Sequence, residues 1–230
     1  MAPPVVLLPS PLLPIQAYHP LTVAFAAAGH DVVVADPAEP RTGAELTARW
    51  AQTVAAVAPE IVVAHSNAGY LAPGVRAAGG GAAVVVFMDA ALPPACGSAA
   101  LAPAGLRERL IELADADGLL PPWTRWWPPG SLDDVVPAEE LPALDQHCPR
   151  LPLAYFDSRV EAPTGWVNGP NAYLAFGPGY AAELDVARGQ HWPVEVIDGA
   201  HLHFLHDAPR VARAVLELVA QARGQLARSG

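Results

Sequence analysis

Short apolar runs alternate with amphipathic segments along most of this 230-residue chain. The runs are rich in Val, Leu, Ile and Ala, which is typical of strands buried on both faces of a sheet. The segments between them carry apolar residues at helical spacing. This alternation predicts an α/β fold with a mostly parallel central sheet and helices on both of its faces. The predicted strands lie at residues 61–64, 83–88, 171–176 and 192–197, and the segments 5–11 and 29–36 are expected to hold the N-terminal strands. A final amphipathic helix is predicted at 211–222.

The alternation of strands and helices fails between residues 95 and 170, which predicts an insertion. We therefore expect a core formed by residues 1–94 and 171–230, with residues 95–170 forming a small, mainly helical cap. Within the cap, residues 106–114 have helical spacing with charges on one face, and residues 137–144 are expected to form a second short helix.

The loop at residues 120–130 is too rich in proline for a helix or a central strand. Three tryptophans of this loop are candidates for lining a substrate pocket: Trp123, Trp126 and Trp127. The alternative, equally open, is that they pack the insertion onto the core, because large aromatic side chains bury much area. Arg125 is expected to pair at the surface with Asp133 or Asp134, and binding of a substrate carboxylate is the less favoured alternative.

A serine lies where the strand at residues 61–64 breaks sharply into a helix. A strained strand-to-helix turn of this kind needs small residues near the serine, and Ala64, Ala68 and Gly69 supply them. Ser66 is therefore the predicted nucleophile. The match to the strict G-x-S-x-G pattern is loose, and an ordinary serine in a loop or helix cap is the alternative.

A histidine follows the last predicted strand. His201 comes directly after Gly199 and Ala200, which let the backbone bend so that the imidazole can point across the sheet edge. His203 and His206 are the alternatives, and His201 is preferred on its position at the strand end. A metal site formed by the three histidines is disfavoured, because no carboxylate cluster or helical ligand pair accompanies them.

A base histidine needs an acid that fixes its tautomer, and three aspartates compete for this role. Asp89 directly follows the apolar strand 83–88, at the edge of a parallel sheet where α/β folds place their chemistry. Asp157 is the second choice, and Asp185 falls inside a predicted helix. The strand at 171–176 is followed by Gly-Pro-Gly and offers no carboxylate at its tip. The sequence therefore favours Asp89, and a Ser-His dyad remains open.

With these residues, the chain resembles the α/β-hydrolase superfamily over nearly its whole length apart from the insertion. The order Ser66, Asp89, His201 agrees with the nucleophile, acid, histidine order of that superfamily. Residues 87–93 look like the subgroup, including some haloalkane dehalogenases, whose acid follows the strand after the nucleophile. Dehalogenase activity does not carry over, since those enzymes use an aspartate nucleophile. The opening strands are similar to those of small esterases and plant hydroxynitrile lyases.

In those relatives a His-Gly or His-Thr pair usually ends the first strand, whereas Pro9 and Ser10 stand here. The departure bears on the oxyanion hole, which needs two hydrogen-bond donors. The backbone N–H of Asn67 is the expected first donor. Pro11 has no N–H to give, so the second donor is expected to be Ser10, by hydroxyl or backbone, or the N–H of Leu12.

Charge and composition narrow the class of protein. The chain has 23 acidic and 13 basic residues, a net charge of −10, which argues against nucleic acid or anionic membranes as partners. Its apolar runs are too short to span a membrane, and residues 1–4 do not resemble a signal peptide. The two cysteines, Cys96 and Cys148, do not form a disulfide framework, so we expect a cytoplasmic protein. The oligomeric state stays open.

The sequence thus predicts a serine hydrolase with a small cap that acts on an uncharged ester, thioester or similar acyl compound, with no metal or organic cofactor implied. One alternative is a lyase or cyclase on the same fold, since the fold hosts many reactions. Another is a silent small-molecule receptor. Cyanohydrin chemistry as in the plant lyases is disfavoured, because those enzymes add a lysine and this chain has none.

Overall fold

The structure, a computed structural model, describes residues 2–37, 39–79, 81 and 83–229. Met1, Ala38, Gly80, Ala82 and Gly230 lie outside this part, although the predicted core ranges and the predicted N-terminal segment include some of them. The strands in chain order are β1 (Val5–Leu8), β2 (Val32–Val34), β3 (Ile61–His65), β4 (Val84–Met88), β5 (Gly97–Ala100), β6 (Arg159–Ala162), β7 (Asn171–Phe176) and β8 (Val194–Ile197). The helices are α1 (His19–Ala27), α2 (Gly43–Val57), α3 (Ala72–Ala78), α4 (Ala104–Leu113), α5 (Leu141–His147), α6 (Leu153–Asp157), α7 (Ala181–Gly189) and α8 (Ala208–Ser229).

Six strands form one parallel sheet in the order β2-β1-β3-β4-β7-β8. Its central strands β1, β3, β4 and β7 are buried along their whole length, as expected of apolar runs covered on both faces. Helix α1 packs with α8, and α2 packs with α3. The α/β fold and the mostly parallel sheet predicted from the sequence are confirmed.

Local sequence explains where the helices begin and end. The Thr42 hydroxyl accepts the N–H of Glu45 and caps α2, while the Glu45 carboxylate accepts the N–H of Arg41. Helix α8 carries the predicted amphipathic stripe and extends beyond it at both ends. Among the described residues, no helix has the length and hydropathy that a membrane span requires.

The segment between β4 and β7, residues 95–170, is built differently from the sheet. It leaves and returns through β5 and β6, which pair antiparallel in a separate two-stranded sheet. Helices α4, α5 and α6 and long connecting turns lie between these two strands. Helix α5 begins four residues later than the predicted helix at 137–144, and α4 begins two residues earlier than the one predicted at 106–114.

Candidate functional site

Two neighbouring strand tips carry the first two residues of the site. The register pairs His65 of β3 with Met88 of β4, so the next residues, Ser66 and Asp89, lie side by side at the carboxyl edge of the sheet. Both have positive φ, 58° at Ser66 and 43° at Asp89, a conformation that is rare for residues other than glycine. Strained residues of this kind persist only where the surrounding structure imposes their conformation, and they are common at functional sites.

Close packing holds the turn at Ser66. A Cβ atom at Gly69 would lie 2.0 Å from the carbonyl oxygen of Ala91, so only glycine fits there. The Ala91 N–H donates to the carbonyl of Ser66 at 3.1 Å, and Ala64 and Ala68 are fully buried. The small residues noted in the sequence thus allow the turn after β3 to pack against the chain that follows β4.

His201 bridges the serine and the aspartate. Its Nε2 lies 3.0 Å from the Ser66 Oγ, and its Nδ1 lies 2.6 Å from the Asp89 Oδ2. The other carboxylate oxygen of Asp89 accepts the backbone N–H of Phe176 at 2.9 Å. The tip of β7, which has no carboxylate, therefore contributes a main-chain donor to the acid. The structure brings Ser66, His201 and Asp89 together in one hydrogen-bonded chain.

The turn after Asp89 is fixed by a buried tyrosine. The Tyr173 hydroxyl donates to the carbonyl of Ala90 at 2.7 Å and accepts the N–H of the same residue at 3.1 Å. The Asp89 N–H donates to the carbonyl of Leu174. With 1% of its surface exposed, Asp89 has little access to solvent, so these contacts determine where its carboxylate points.

A second series of buried hydrogen bonds holds the backbone of His201. The Tyr18 hydroxyl accepts the Ser10 N–H at 2.7 Å and lies 2.7 Å from the Nδ1 of His65. The Nε2 of His65 lies 3.2 Å from the backbone carbonyl of His201, so the Nε2–H donates there and the Nδ1 accepts from Tyr18. Burial, with the charge of His201 nearby, holds the pKa of His65 well below its ordinary value, so this imidazole stays neutral.

The candidate hydrogen-bond donors for the oxyanion differ in the partners that they already have. Asn67 lies at the start of the short 3₁₀ helix Ser66–Tyr70, where a backbone N–H has no acceptor within the helix. The Ser10 N–H is taken up by Tyr18, so the backbone option at Ser10 is excluded by this geometry. The Leu12 N–H donates to the Ser10 hydroxyl over a long 3.4 Å. Leu12, unlike Ser10, lines the cavity in the described part of the chain.

The cavity in front of Ser66 has a volume of about 480 Å³. Its lining is mostly apolar, and Ser66, Asn67, Asp89, Ser131, Tyr180 and His201 are the polar residues among those described. No arginine lines it within the described residues. The three predicted tryptophans all reach it: Trp123 and Trp126 are buried, whereas Trp127 is 37% exposed.

Two of these tryptophans also make packing contacts, one within the insertion and one with the core. The Trp126 ring lies 5.9 Å from the Phe156 ring, and its Nε1 donates to the carbonyl of Pro121 at 2.8 Å. The Trp123 ring lies 6.3 Å from the His201 ring. The loop at 120–130 therefore joins the packing of the insertion to the wall of the cavity.

Alternatives considered from the sequence lie elsewhere. Asp157 is bonded at the surface to Arg107 at 2.5 Å, and Asp185 pairs with Arg188 within α7. The ring of His203 lies against Phe176. These contacts keep all three groups apart from the hydrogen bonds that join Ser66, His201 and Asp89.

His206 and Arg125 also pair away from Ser66. The Nε2 of His206 lies 3.3 Å from the carbonyl of Val135. The predicted partners of Arg125 were wrong. Arg125 pairs with Asp145 at 2.7 Å instead of Asp133 or Asp134, because α5 presents Asp145 to the loop.

Two groups near the serine were not predicted from the sequence. The Tyr180 hydroxyl lies 3.5 Å from the Ser66 Oγ, and the Tyr18–His65 pair holds the backbone of His201. Tyr180 comes shortly after the tip of β7, so the rule that drew attention to Asp89 at a strand tip applies to it as well. Nothing local in the sequence indicates the contact between Tyr18 and His65.

Among the described residues, no group of three or more His, Cys, Asp or Glu side chains is placed to hold a metal ion. The strand order, with a serine and an aspartate at the neighbouring tips of β3 and β4 and a histidine after β8, defines a protein of the α/β-hydrolase fold. No family model and no curated protein matches this chain.

Solved structures are similar to it. An extracellular α/β-hydrolase from a Paenibacillus species, described as homologous in structure and function to tobacco salicylic acid binding protein 2, matches with a TM-score of 0.76 and 17% identity over 93% of this chain and 98% of that one. A tomato methylketone synthase I variant complexed with β-ketoheptanoate matches with a TM-score of 0.71 and 12% identity, over 96% and 99%. A pyrethroid hydrolase matches with a TM-score of 0.65 and 13% identity, over 98% and 100%. At these identities the likeness establishes the fold, so this chain is an α/β-hydrolase-fold protein.

Proposed function

We propose that this protein is a serine hydrolase that cleaves an uncharged carboxylic ester, thioester or related acyl compound through an acyl-enzyme. The observation that carries the proposal is the position of His201, 3.0 Å from the Ser66 Oγ and 2.6 Å from the Asp89 Oδ2. These distances allow one imidazole to accept the serine proton while the aspartate holds its other nitrogen.

The reaction uses each group in turn. The Ser66 Oγ attacks the substrate carbonyl carbon, and its proton passes to the Nε2 of His201. Asp89 accepts the Nδ1–H and stabilises the imidazolium that forms. The N–H groups of Asn67 and Leu12 hold the oxyanion, with the Leu12 N–H leaving its long contact to the Ser10 hydroxyl. His201 then gives its proton to the leaving oxygen or sulfur, and a water molecule activated by the same imidazole releases the acid.

The cavity supports an uncharged substrate. Its described lining is mostly apolar and includes no arginine, and the chain as a whole carries a net charge of −10. A carboxylate or phosphate on the substrate would lose its hydration without gaining a cationic partner. We propose that the insertion, residues 95–170, acts as a cap that shapes this cavity through Trp123, Trp126 and Trp127.

A fluorophosphonate probe tests the proposal directly. We expect the wild-type protein to gain one phosphonyl group, detected by intact mass, and to hydrolyse short p-nitrophenyl esters. Ser66→Ala should lose the label and lower turnover about a thousandfold or more while keeping the circular dichroism of the folded chain. Ser131→Ala, which changes the other serine on the cavity wall, should keep the label.

Other results would contradict the proposal. Labelling that persists in Ser66→Ala would place the nucleophile elsewhere. A wild-type protein that binds acyl compounds but is neither labelled nor active would be a receptor. Labelling without ester turnover would favour non-hydrolytic chemistry on the same fold.

A further inference from the structure

Tyr180 is a polar side chain beside the nucleophile that the proposed mechanism does not use. It follows the turn after β7 and directly precedes α7. Its hydroxyl oxygen lies 3.5 Å from the Ser66 Oγ, and its ring centroid lies 5.6 Å from that of His201. Tyr180 also lines the cavity, so a bound substrate would meet its hydroxyl.

The two loops that carry Tyr180 and His201 are packed together. Gly177, at the tip of β7, has a φ of 69°, and a Cβ atom there would lie 2.6 Å from the carbonyl oxygen of Gly199. Gly199 is two residues before His201. This close approach fixes the position of the Tyr180 loop relative to the imidazole. The Tyr180 hydroxyl and the His201 Nε2 both reach the Ser66 Oγ.

The hydrogen-bond pattern determines which group donates. Asp89 accepts from the Nδ1 of His201, which leaves the Nε2 as an acceptor for the Ser66 hydroxyl proton. The Ser66 oxygen can then accept the Tyr180 O–H. Burial raises the pKa of Tyr180 above its ordinary value, so the phenol keeps its proton at neutral pH.

Sheet order separates this donor from the oxyanion hole. Leu12 follows β1, on one side of β3, whereas Tyr180 and His201 follow β7 and β8, on the other side. A tetrahedral carbon attached to the Ser66 Oγ that directs its oxyanion toward Leu12 and Asn67 directs its leaving oxygen toward His201, which must protonate it. Tyr180 therefore lies on the side of the leaving group.

We infer that Tyr180 is a catalytic hydrogen-bond donor to the leaving oxygen of the substrate, an inference that rests on the proposed serine hydrolase function. In the acylation step the bond from the Ser66 Oγ to the acyl carbon has formed and the bond from that carbon to the alkoxy oxygen breaks. The proton taken from Ser66 passes from the His201 Nε2 to the leaving oxygen, giving the alcohol. Tyr180 keeps its own proton and stabilises the negative charge on that oxygen while the bond breaks.

This role predicts a dependence on the leaving group. An alkoxide is a strong base and gains from a donor, whereas p-nitrophenolate is stable without one. We expect Tyr180→Phe to lower kcat/KM for the ethyl or phenyl ester of an acid about tenfold, and for the p-nitrophenyl ester of the same acid less than about threefold. Because kcat/KM includes no step after acylation, it reports the step in which the leaving group departs.

The control is Tyr70→Phe, which removes one hydroxyl from a half-buried tyrosine at the end of the 3₁₀ helix that carries Ser66. This variant should leave kcat/KM unchanged for both esters. The fluorophosphonate rate of Tyr180→Phe should also stay close to that of wild type, because fluoride leaves without such a donor. Retention of labelling shows in addition that the variant is folded.

Equal losses for both esters in Tyr180→Phe would indicate a structural role and overturn the inference. No loss for the ethyl and phenyl esters would overturn it too, as would a wild-type protein that turns over only the p-nitrophenyl ester. In all of these cases the proposed hydrolase function survives, because wild-type labelling and turnover test it separately. A wild-type protein without labelling or turnover would remove both.

Discussion

The strand tips and the insertion are held by different kinds of contact. At the strand tips, buried polar groups hold one another: Tyr18 and His65 support the backbone of His201, and Tyr173 fixes the turn after Asp89. In the insertion, residues 95–170, charged pairs lie at the surface, and both side chains of each are partly exposed: Arg107–Asp157, Arg125–Asp145 and Arg150–Asp115. Buried polar contacts impose one geometry, whereas exposed ion pairs are screened by salt and contribute little.

The proposed catalytic groups and the proposed pocket residues therefore lie in different regions. The groups proposed to do the chemistry are fixed by the sheet, and the tryptophans that line the cavity belong to the segment that carries the exposed ion pairs. Asn67 links the two regions by buried hydrogen bonds. The Asn67 side chain donates to the carbonyl of Leu101 at 2.7 Å and accepts the hydroxyl of Tyr155 at 2.8 Å. A displacement of the insertion would therefore be felt next to the nucleophile.

The largest effect is expected from the acid at the β4 tip. Asp89→Asn should keep the fold but leave His201 in the wrong tautomer, because an amide nitrogen cannot accept the Nδ1–H. We expect kcat/KM for a p-nitrophenyl ester to fall about a thousandfold or more. Steady-state kinetics and intact-mass labelling measure this.

The matched control is Asp157→Asn, which breaks a surface pair of the insertion with Arg107. It should change kcat/KM by less than about threefold, since exposed pairs contribute little. An Asp157→Asn variant as impaired as Asp89→Asn would reverse the contrast between the two regions.

A smaller effect is expected from two glycines. At Gly69 an alanine Cβ would meet the Ala91 carbonyl at 2.0 Å, so Gly69→Ala should reduce the free energy of unfolding by about 2 to 3 kcal/mol or more. At Gly105, in α4 of the insertion, no atom lies within 4 Å of the added Cβ, and Gly105→Ala should be neutral or stabilising by up to about 1 kcal/mol. Urea denaturation of both variants gives the comparison, and equal effects would contradict it.

The smallest effect concerns pH and the insertion. Hydrogen bonds from Arg125 and Thr124 hold the pKa of Asp145 below its ordinary value of 3.8. A carboxyl whose pKa is lowered by folding stabilises the fold above its ordinary pKa, and this contribution is lost as the pH falls through the folded value. Amide exchange in residues 120–147 should therefore increase at acid pH before exchange in β3 and β4 does.

Asp145→Asn should show part of that increase already at neutral pH, by less than about fivefold. Asp185→Asn, which removes an exposed pair within α7, is the control and should leave exchange in residues 120–147 unchanged. If β3 and β4 opened together with the insertion, the two regions would form one cooperative unit and the contrast would fail.

Much of the sheet could be predicted from the sequence, because a buried strand is a local pattern. The parallel arrangement then brings strand tips to one edge, and that is why Ser66, Asp89 and His201 could be named as neighbours although they lie far apart in the chain. Arg125 shows where this reasoning ends. Its partner depends on how α5 packs against the loop, which no local pattern specifies. Tyr18 and His65 were missed for the same reason.

The two-stranded connection formed by β5 and β6 has a consequence for how this protein can change. Gly97 pairs with Ala162 and Ala100 pairs with Arg159, so the chain departs from the sheet domain and rejoins it at adjacent positions. A segment attached in this way can be lengthened, shortened or exchanged without moving β4 or β7. Leu101 and Tyr155, which hold Asn67, lie just beyond the paired strands. A replacement module that supplied these two contacts would give the same strand tips a new pocket.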